Sequence, residues 1–203
     1  MLVDKCVRYN SQSMPLPVVL DVETQQSFRD VGGYDPGKLK ISVVGLYDYG
    51  TGIYKAYTEA ELPQLFPVLE KASTIIGFNI IDFDLPVLDP YYVGNLTKFA
   101  SLDLLKAVEK SLGFRISLDD LVRETLGTKK TGHGLLAIEY FRAGEIDKLK
   151  EYCLSDVKLT KELYEYGKLH GQVFYNTASG RREIPVTWSE TKTAKEVHLT
   201  LPW

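Results

Sequence analysis

The sequence predicts an α/β protein built on a mixed five-stranded sheet, and three observations lead there. Short apolar runs bounded by Gly, Pro and Asp, at 15–24, 40–49, 53–58, 74–78 and 99–102, read as strands. The second and third are separated only by a turn carrying Gly50 and Gly52, so they form an antiparallel hairpin. Segments with helical apolar spacing separate the later strands, an order that requires parallel pairing. The expected sheet therefore has three antiparallel strands, then two parallel ones, flanked by helices.

Each element has a local reason. Residues 1–14 are polar and without a period, and read as an arm. PLPVVLDVET, at 15–24, is an apolar run entered by two prolines, as expected of a buried strand. A loop rich in Gly, Pro and Asp follows at 30–37. Residues 62–71 place Leu62, Leu65, Phe66 and Leu69 on one helical stripe, with Pro63 near the start where it is tolerated. After the fourth strand, 80–88 is expected to be helical. The stretches 103–112, 117–126, 134–142 and 146–168 form further helices, punctuated by Gly113, Gly127 and Gly144. Residues 171–188 read as a hairpin turning at 176–180, with Trp188 and Trp203 anchoring this C-terminal appendage. The domain reading is an arm at 1–14, a catalytic domain at 15–170, and a hairpin and tail at 171–203. A chain of 203 residues suits one such domain.

Composition narrows the function. With 24 basic and 27 acidic residues the formal charge is −3, which excludes a broadly basic nucleic-acid coat but leaves room for a local, metal-loaded phosphate site. No run approaches the ~18 apolar residues of a membrane span, and MLVDKCVRYNSQ lacks the apolar core of a signal peptide. Cys6 and Cys153 fit neither a disulfide framework nor a zinc site. A reduced, cytoplasmic protein with no membrane partner is expected.

Three constellations carry chemistry. Asp21 and Glu23, two apart on the first strand, point to the same face of the sheet. Two carboxylates side by side on an apolar strand repel one another and need a cation, unless the strand ends at Leu20 and both acids meet water. GFNIIDFDLPVL, at 77–88, holds Asp82 and Asp84 where a strand enters a helix, with Asn79 and Phe83 four apart on one helical face. Acids at a helix N-terminus are also simply favoured by its dipole. On the helix at 146–168, Tyr152 and Asp156 flank the apolar stripe. An Asp there is costly unless it is paired, binds metal or reaches water at the boundary.

The order of the three is more specific than any one. VVLDVET, N-I-I-D-F-D and YCLSD, on the first strand, after the fourth strand and on a late helix, together resemble the DEDD exonucleases. That is an RNase H-like superfamily which includes polymerase proofreading domains. The N-x-x-x-F-D form is similar to the second motif of family B proofreading domains, and Tyr152 points to the tyrosine subgroup. The resemblance spans roughly 15–170, and its F-D pair favours Asp84 over Asp82.

This resemblance implies an RNase H-like fold and a 3′–5′ exonuclease acting on single-stranded nucleic acid, DNA favoured. It implies two divalent cations, Mg²⁺ or Mn²⁺, held by Asp21, Glu23, Asp84 and Asp156, with Asp21 shared between them. The hard oxygen donors suit those ions. It further implies that Tyr152 orients water, and that Glu23, Thr24, Asn79 and Phe83 contact the terminal nucleotide. A separate polymerase, helicase or repair partner is expected if the chain proofreads. An exoribonuclease, or an inactive nucleic-acid-binding module on the same fold, is the alternative. Lys130 and His133, in the basic loop KKTGHG, are candidates for a substrate phosphate, and equally read as a solvated turn before a helix.

Overall fold

Val18–Thr24 forms β1, and its alternation sets the layers of the molecule. Val18, Leu20 and Val22 lie in a buried cluster on one face, while Val19 joins a second cluster on the other. The computed structural model describes residues 14–128 and 134–188. β1 is central in a sheet of order β3-β2-β1-β4-β5, whose other strands are β2 (Ile41–Asp48), β3 (Ile53–Thr58), β4 (Ile75–Gly77) and β5 (Ser101–Asp103). β1, β2 and β3 are antiparallel, whereas β1–β4 and β4–β5 pair in parallel. This is the mixed sheet that the order of elements predicts.

Helices cover both faces. α1 (Leu62–Lys71) and α2 (Asp84–Leu88) bury Leu62, Leu65, Leu69, Leu85 and Leu88 with Leu20 and Val22. On the other face lie α3 (Leu104–Leu112), α4 (Leu118–Leu126) and α6 (Ile146–His170), contributing Val108, Leu121, Val122, Val157 and Leu163. α5 (Leu136–Arg142) packs Ala137 against the first turns of α6 and Val43 of β2. Caps decide several starts: Thr58 and Glu61 form a capping box ahead of α1, and Ser117 Oγ accepts the Asp120 N–H to open α4. Among the described residues no helix is long and apolar enough to cross a membrane.

One segment departs from expectation. The helix expected at 80–88 begins only at Asp84, because 78–83 forms a turn with Asn79 at φ 68°. Asp103 supplies the reason: its carboxylate accepts the N–H groups of Asn79 (3.0 Å) and Ile81 (3.1 Å), so the chain satisfies these donors without a helical turn. Asn79 and Phe83 therefore do not share a helical face.

The C-terminal hairpin consists of β6 (Gln172–Thr177) and β7 (Gly180–Pro185). Its Val173 and Ile184 belong to the same buried cluster as Val157 and Leu163, and Thr125 Oγ1 accepts the Phe174 N–H at 2.9 Å. Trp188 donates its indole N–H to the Tyr164 carbonyl at 2.9 Å, over Gly167. Trp203, Cys6 and the arm up to residue 13 lie outside the described residues.

The approach of α6 to the sheet depends on Gly45, which faces Asp21 across the β1–β2 pair. A Cβ at this position would lie 2.8 Å from Cys153 Sγ and 2.8 Å from Val157 Cγ2. Ala normally improves on Gly within a strand. Gly45→Ala is nevertheless expected to lose about 1–3 kcal/mol by overpacking, measured as a lower urea midpoint at unchanged m-value.

Candidate metal centre at the end of the central strand

β1 and β4 pair only through Val18 and Val19, so the C-terminal half of β1 runs on beyond its parallel neighbour. Crevices at the carboxyl ends of diverging strands are where α/β sheets place ligands. The Val22 N–H, facing this gap, is taken by Asp84 Oδ1 at 2.8 Å. That bond seats the first residue of α2 beside Asp21, and Asp84 is only 4% exposed. On the opposite side α6 brings Asp156, 2% exposed, to the same strand. Asp21, Glu23 and Asp156 each offer a carboxylate oxygen, and the three oxygens lie within 4.8 Å of one another. These acids could bind a metal ion.

Burial raises the Asp84 carboxyl well above the usual range; the negative charge of Asp21 adds to this, Asp103 adds less, and the Val22 N–H opposes it. Cys153 lies directly behind the cluster. Its thiol is 3.5 Å from Asp21 Oδ2 and 3.6 Å from the Asp21 carbonyl, as a donor to both. Burial pushes this thiol well up, and the charges of Asp21, Glu23 and Asp156 reinforce the shift. A neutral S–H under the carboxylates is a donor that does not add to their repulsion.

Asp82, two residues before Asp84, has the opposite environment. Lys106 Nζ at 2.9 Å and Arg115 Nη1 at 3.4 Å pair with its Oδ2, and hydrogen bonding from Lys106 holds its carboxyl below the ordinary range against modest burial. Asp82 thus belongs to a surface ion-pair network, whereas Asp84 faces Asp21.

The other sequence-derived residues fall as follows. Tyr152 is 6% exposed, one helical turn before Asp156, and packs against Tyr140 of α5 with ring centroids 6.4 Å apart. Thr24 is buried and donates its hydroxyl to the Gln26 carbonyl at 2.8 Å. Phe83 is half-buried and meets Phe28 edge-on, at 6.0 Å and 77°. Asn79 lines a groove of about 340 Å³ together with Asp21, Asp156, Phe78 and Arg115. Lys130 and His133 lie outside the described residues.

Arg115, Lys106, Asp103 and Cys153 are parts of the site that the sequence analysis does not single out. Cys153 follows Tyr152 and precedes Asp156 in the third motif, so its place beside Asp21 was within reach of helical periodicity. Arg115 was not, because it sits between helices and meets Asn79 across 36 positions of chain.

No family model matches the sequence, and no curated relative matches it. Among solved structures it is similar to the family B DNA polymerase of the hyperthermophilic archaeon Pyrobaculum calidifontis. The match has 19% identity and a TM-score of 0.58, and covers 76% of this chain and 25% of the polymerase. The chain thus spans about a quarter of that polymerase's length. At this identity the likeness is one of fold, and the mixed sheet fits the RNase H-like fold.

The raised Asp84 carboxyl has a consequence for the metal-free protein. Between its ordinary and its raised pKa the folded chain holds a proton that the unfolded chain releases, so stability falls as pH rises through that window. Asp84→Asn keeps an oxygen for the Val22 N–H and removes the titration. In chelator the variant is expected to melt above wild type at pH 7, the difference closing below about pH 4. With Mn²⁺ at ~100 times its Kd, wild type should gain about 2.7 kcal/mol and the variant much less. Thermal melts from pH 4 to 8 check both.

Proposed function

We propose that this chain is a metal-dependent 3′–5′ exonuclease of the DEDD type, tyrosine subgroup. It would remove 5′-mononucleotides from single-stranded 3′ ends, with DNA the favoured substrate. The observation that carries this reading is the meeting of Asp21, Glu23 and Asp156 within 4.8 Å at the open end of the central strand, with Asp84 buried beside Asp21. The likeness of fold to a family B DNA polymerase supports it.

The donor set fits hard divalent ions: carboxylate oxygens, no thiolate, and an arrangement whose repulsion a cation relieves. Asp21, Glu23, Asp84 and Asp156 would hold Mg²⁺ or Mn²⁺, which supplies Lewis-acid stabilisation of charge on the phosphoryl and leaving oxygens. In the reaction a water oxygen bonds to phosphorus and the P–O3′ bond breaks. The 3′ oxygen leaves with a proton, and a 5′-mononucleotide is released.

The protein's own groups position these partners. Tyr152, which packs against Tyr140 of α5, would orient the attacking water. Glu23 takes the terminal 3′ hydroxyl, the Asn79 amide holds the last nucleotide, and Phe83 offers its aromatic ring, braced by Phe28. Stacking on such rings contributes ~1–3 kcal/mol per base without reading sequence. Thr24 acts by holding the turn after β1, since its hydroxyl is engaged by Gln26.

End-labelled oligonucleotides with Mg²⁺ or Mn²⁺ test the proposal. Stepwise 3′ shortening is expected for wild type. Asp21→Ala and Asp156→Ala should each slow it by more than ~100-fold, the most that loss of an outer-shell metal partner costs. Equal rates in the three proteins would reject the reading, and faster loss of RNA than of DNA of one sequence would move the substrate to RNA.

A further inference from the structure

We propose that Arg115 is a substrate-binding residue that grips a phosphodiester of the bound strand next to the metal centre. The inference rests on the nuclease reading only in taking the ligand to be a nucleic-acid strand.

Arg115 shares the groove of Asp21, Asp156 and Asn79, and is the one cationic side chain among the described residues that line it. A polyanion entering this groove meets an acidic floor, and Arg115 is the fixed positive group on the wall. Guanidinium offers a planar fork of donors that matches two phosphate oxygens at once. Its side chain is 50% exposed, so the donors are within a ligand's reach.

Its present partners hold it in a way that permits transfer. One terminal nitrogen hydrogen-bonds Asn79 Oδ1, while Asp82 is at 3.4 Å and Glu109 at 3.9 Å, both long contacts. The short partner of Asp82 is Lys106, at 2.9 Å. When Arg115 turns to a phosphate, Asp82 keeps its pairing with Lys106, and no buried charge is orphaned. Asn79 is released at the same moment for the terminal nucleotide.

The backbone around this pair is built for placement. Asn79 is the non-glycine residue with positive φ among those described, and Asp103 fixes it through the Asn79 and Ile81 N–H groups. Arg115 stands between Gly113, the left-handed cap that ends α3, and Ser117, the N-cap of α4, so both sides of the link are pinned.

A cycle of protein and substrate changes tests the proposal. Binding of fluorescent single-stranded oligonucleotides is followed by anisotropy with Ca²⁺ replacing Mg²⁺. Each of the two 3′-terminal linkages is in turn made a neutral methylphosphonate. Arg115→Ala is expected to weaken the natural strand about tenfold or more, and Arg115→Lys less. At one linkage the methylphosphonate should weaken wild type by a similar factor yet leave Arg115→Ala unaffected, because the two changes remove the same contact. Arg115→Gln, with melting curves for every variant, separates lost contact from lost fold. Wild-type affinity in Arg115→Ala, or penalties that multiply in full at both linkages, would overturn the inference. Wild type that binds but does not cut rejects the nuclease reading while the cycle still decides on Arg115. Wild type that binds no strand rejects both.

Discussion

Everything at the candidate site depends on how closely α6 approaches the central sheet. Gly45 leaves the space that Cys153 and Val157 fill, directly opposite Asp21. A helix held further out would carry Asp156 away from Asp21 and Glu23. Instead Asp156 is almost fully buried within reach of Asp21 and Glu23. The missing side chain of one residue in β2 thus sets the spacing of groups on β1 and α6.

That closeness comes at an electrostatic cost to the fold. Carboxylates in a partly buried cluster repel each other and lose hydration, and the raised Asp84 carboxyl and Cys153 thiol register this strain. The surroundings limit the penalty with neutral donors, the Val22 N–H to Asp84 and the Cys153 S–H to Asp21. Arg115 and Lys106 are drawn to Asp82.

The segment 78–84 shows how little separation such a division needs. Asp82 and Asp84 differ by two positions, yet one sits in a surface ion-pair network with its carboxyl held down, and the other is buried with its carboxyl pushed up. The turn created by Asp103 and the left-handed Asn79 produces the difference, since a continuous helix from Ile80 would present these side chains otherwise. Asp103 caps α3 through the Lys106 N–H with the same carboxylate. It therefore ties the second acidic motif to the start of the next helix.

Much of this was legible in the amino-acid order because its causes are local. Alternation along VVLDVET puts Asp21 and Glu23 on one face, glycines mark the hairpin and the helix ends, and a four-residue interval sets Tyr152 one turn from Asp156. Such periodicities follow from backbone geometry alone, whereas the grouping of Asp21, Glu23, Asp84 and Asp156 came from the order of the three motifs and the resemblance it carries. The turn at 78–83 escaped because its stabilising carboxylate, Asp103, lies more than 20 positions away, and a helical reading satisfies local propensity equally well. Arg115 escaped for the same reason, since nothing near it in the chain announces Asn79. Periodicity determined that Asp21 and Glu23 share a face and that Tyr152 lies one turn from Asp156. Long-range contacts decided which acid is buried, which cation reaches it, and how near α6 comes to β1, because hydrogen bonds and close packing between distant segments depend on the closed fold.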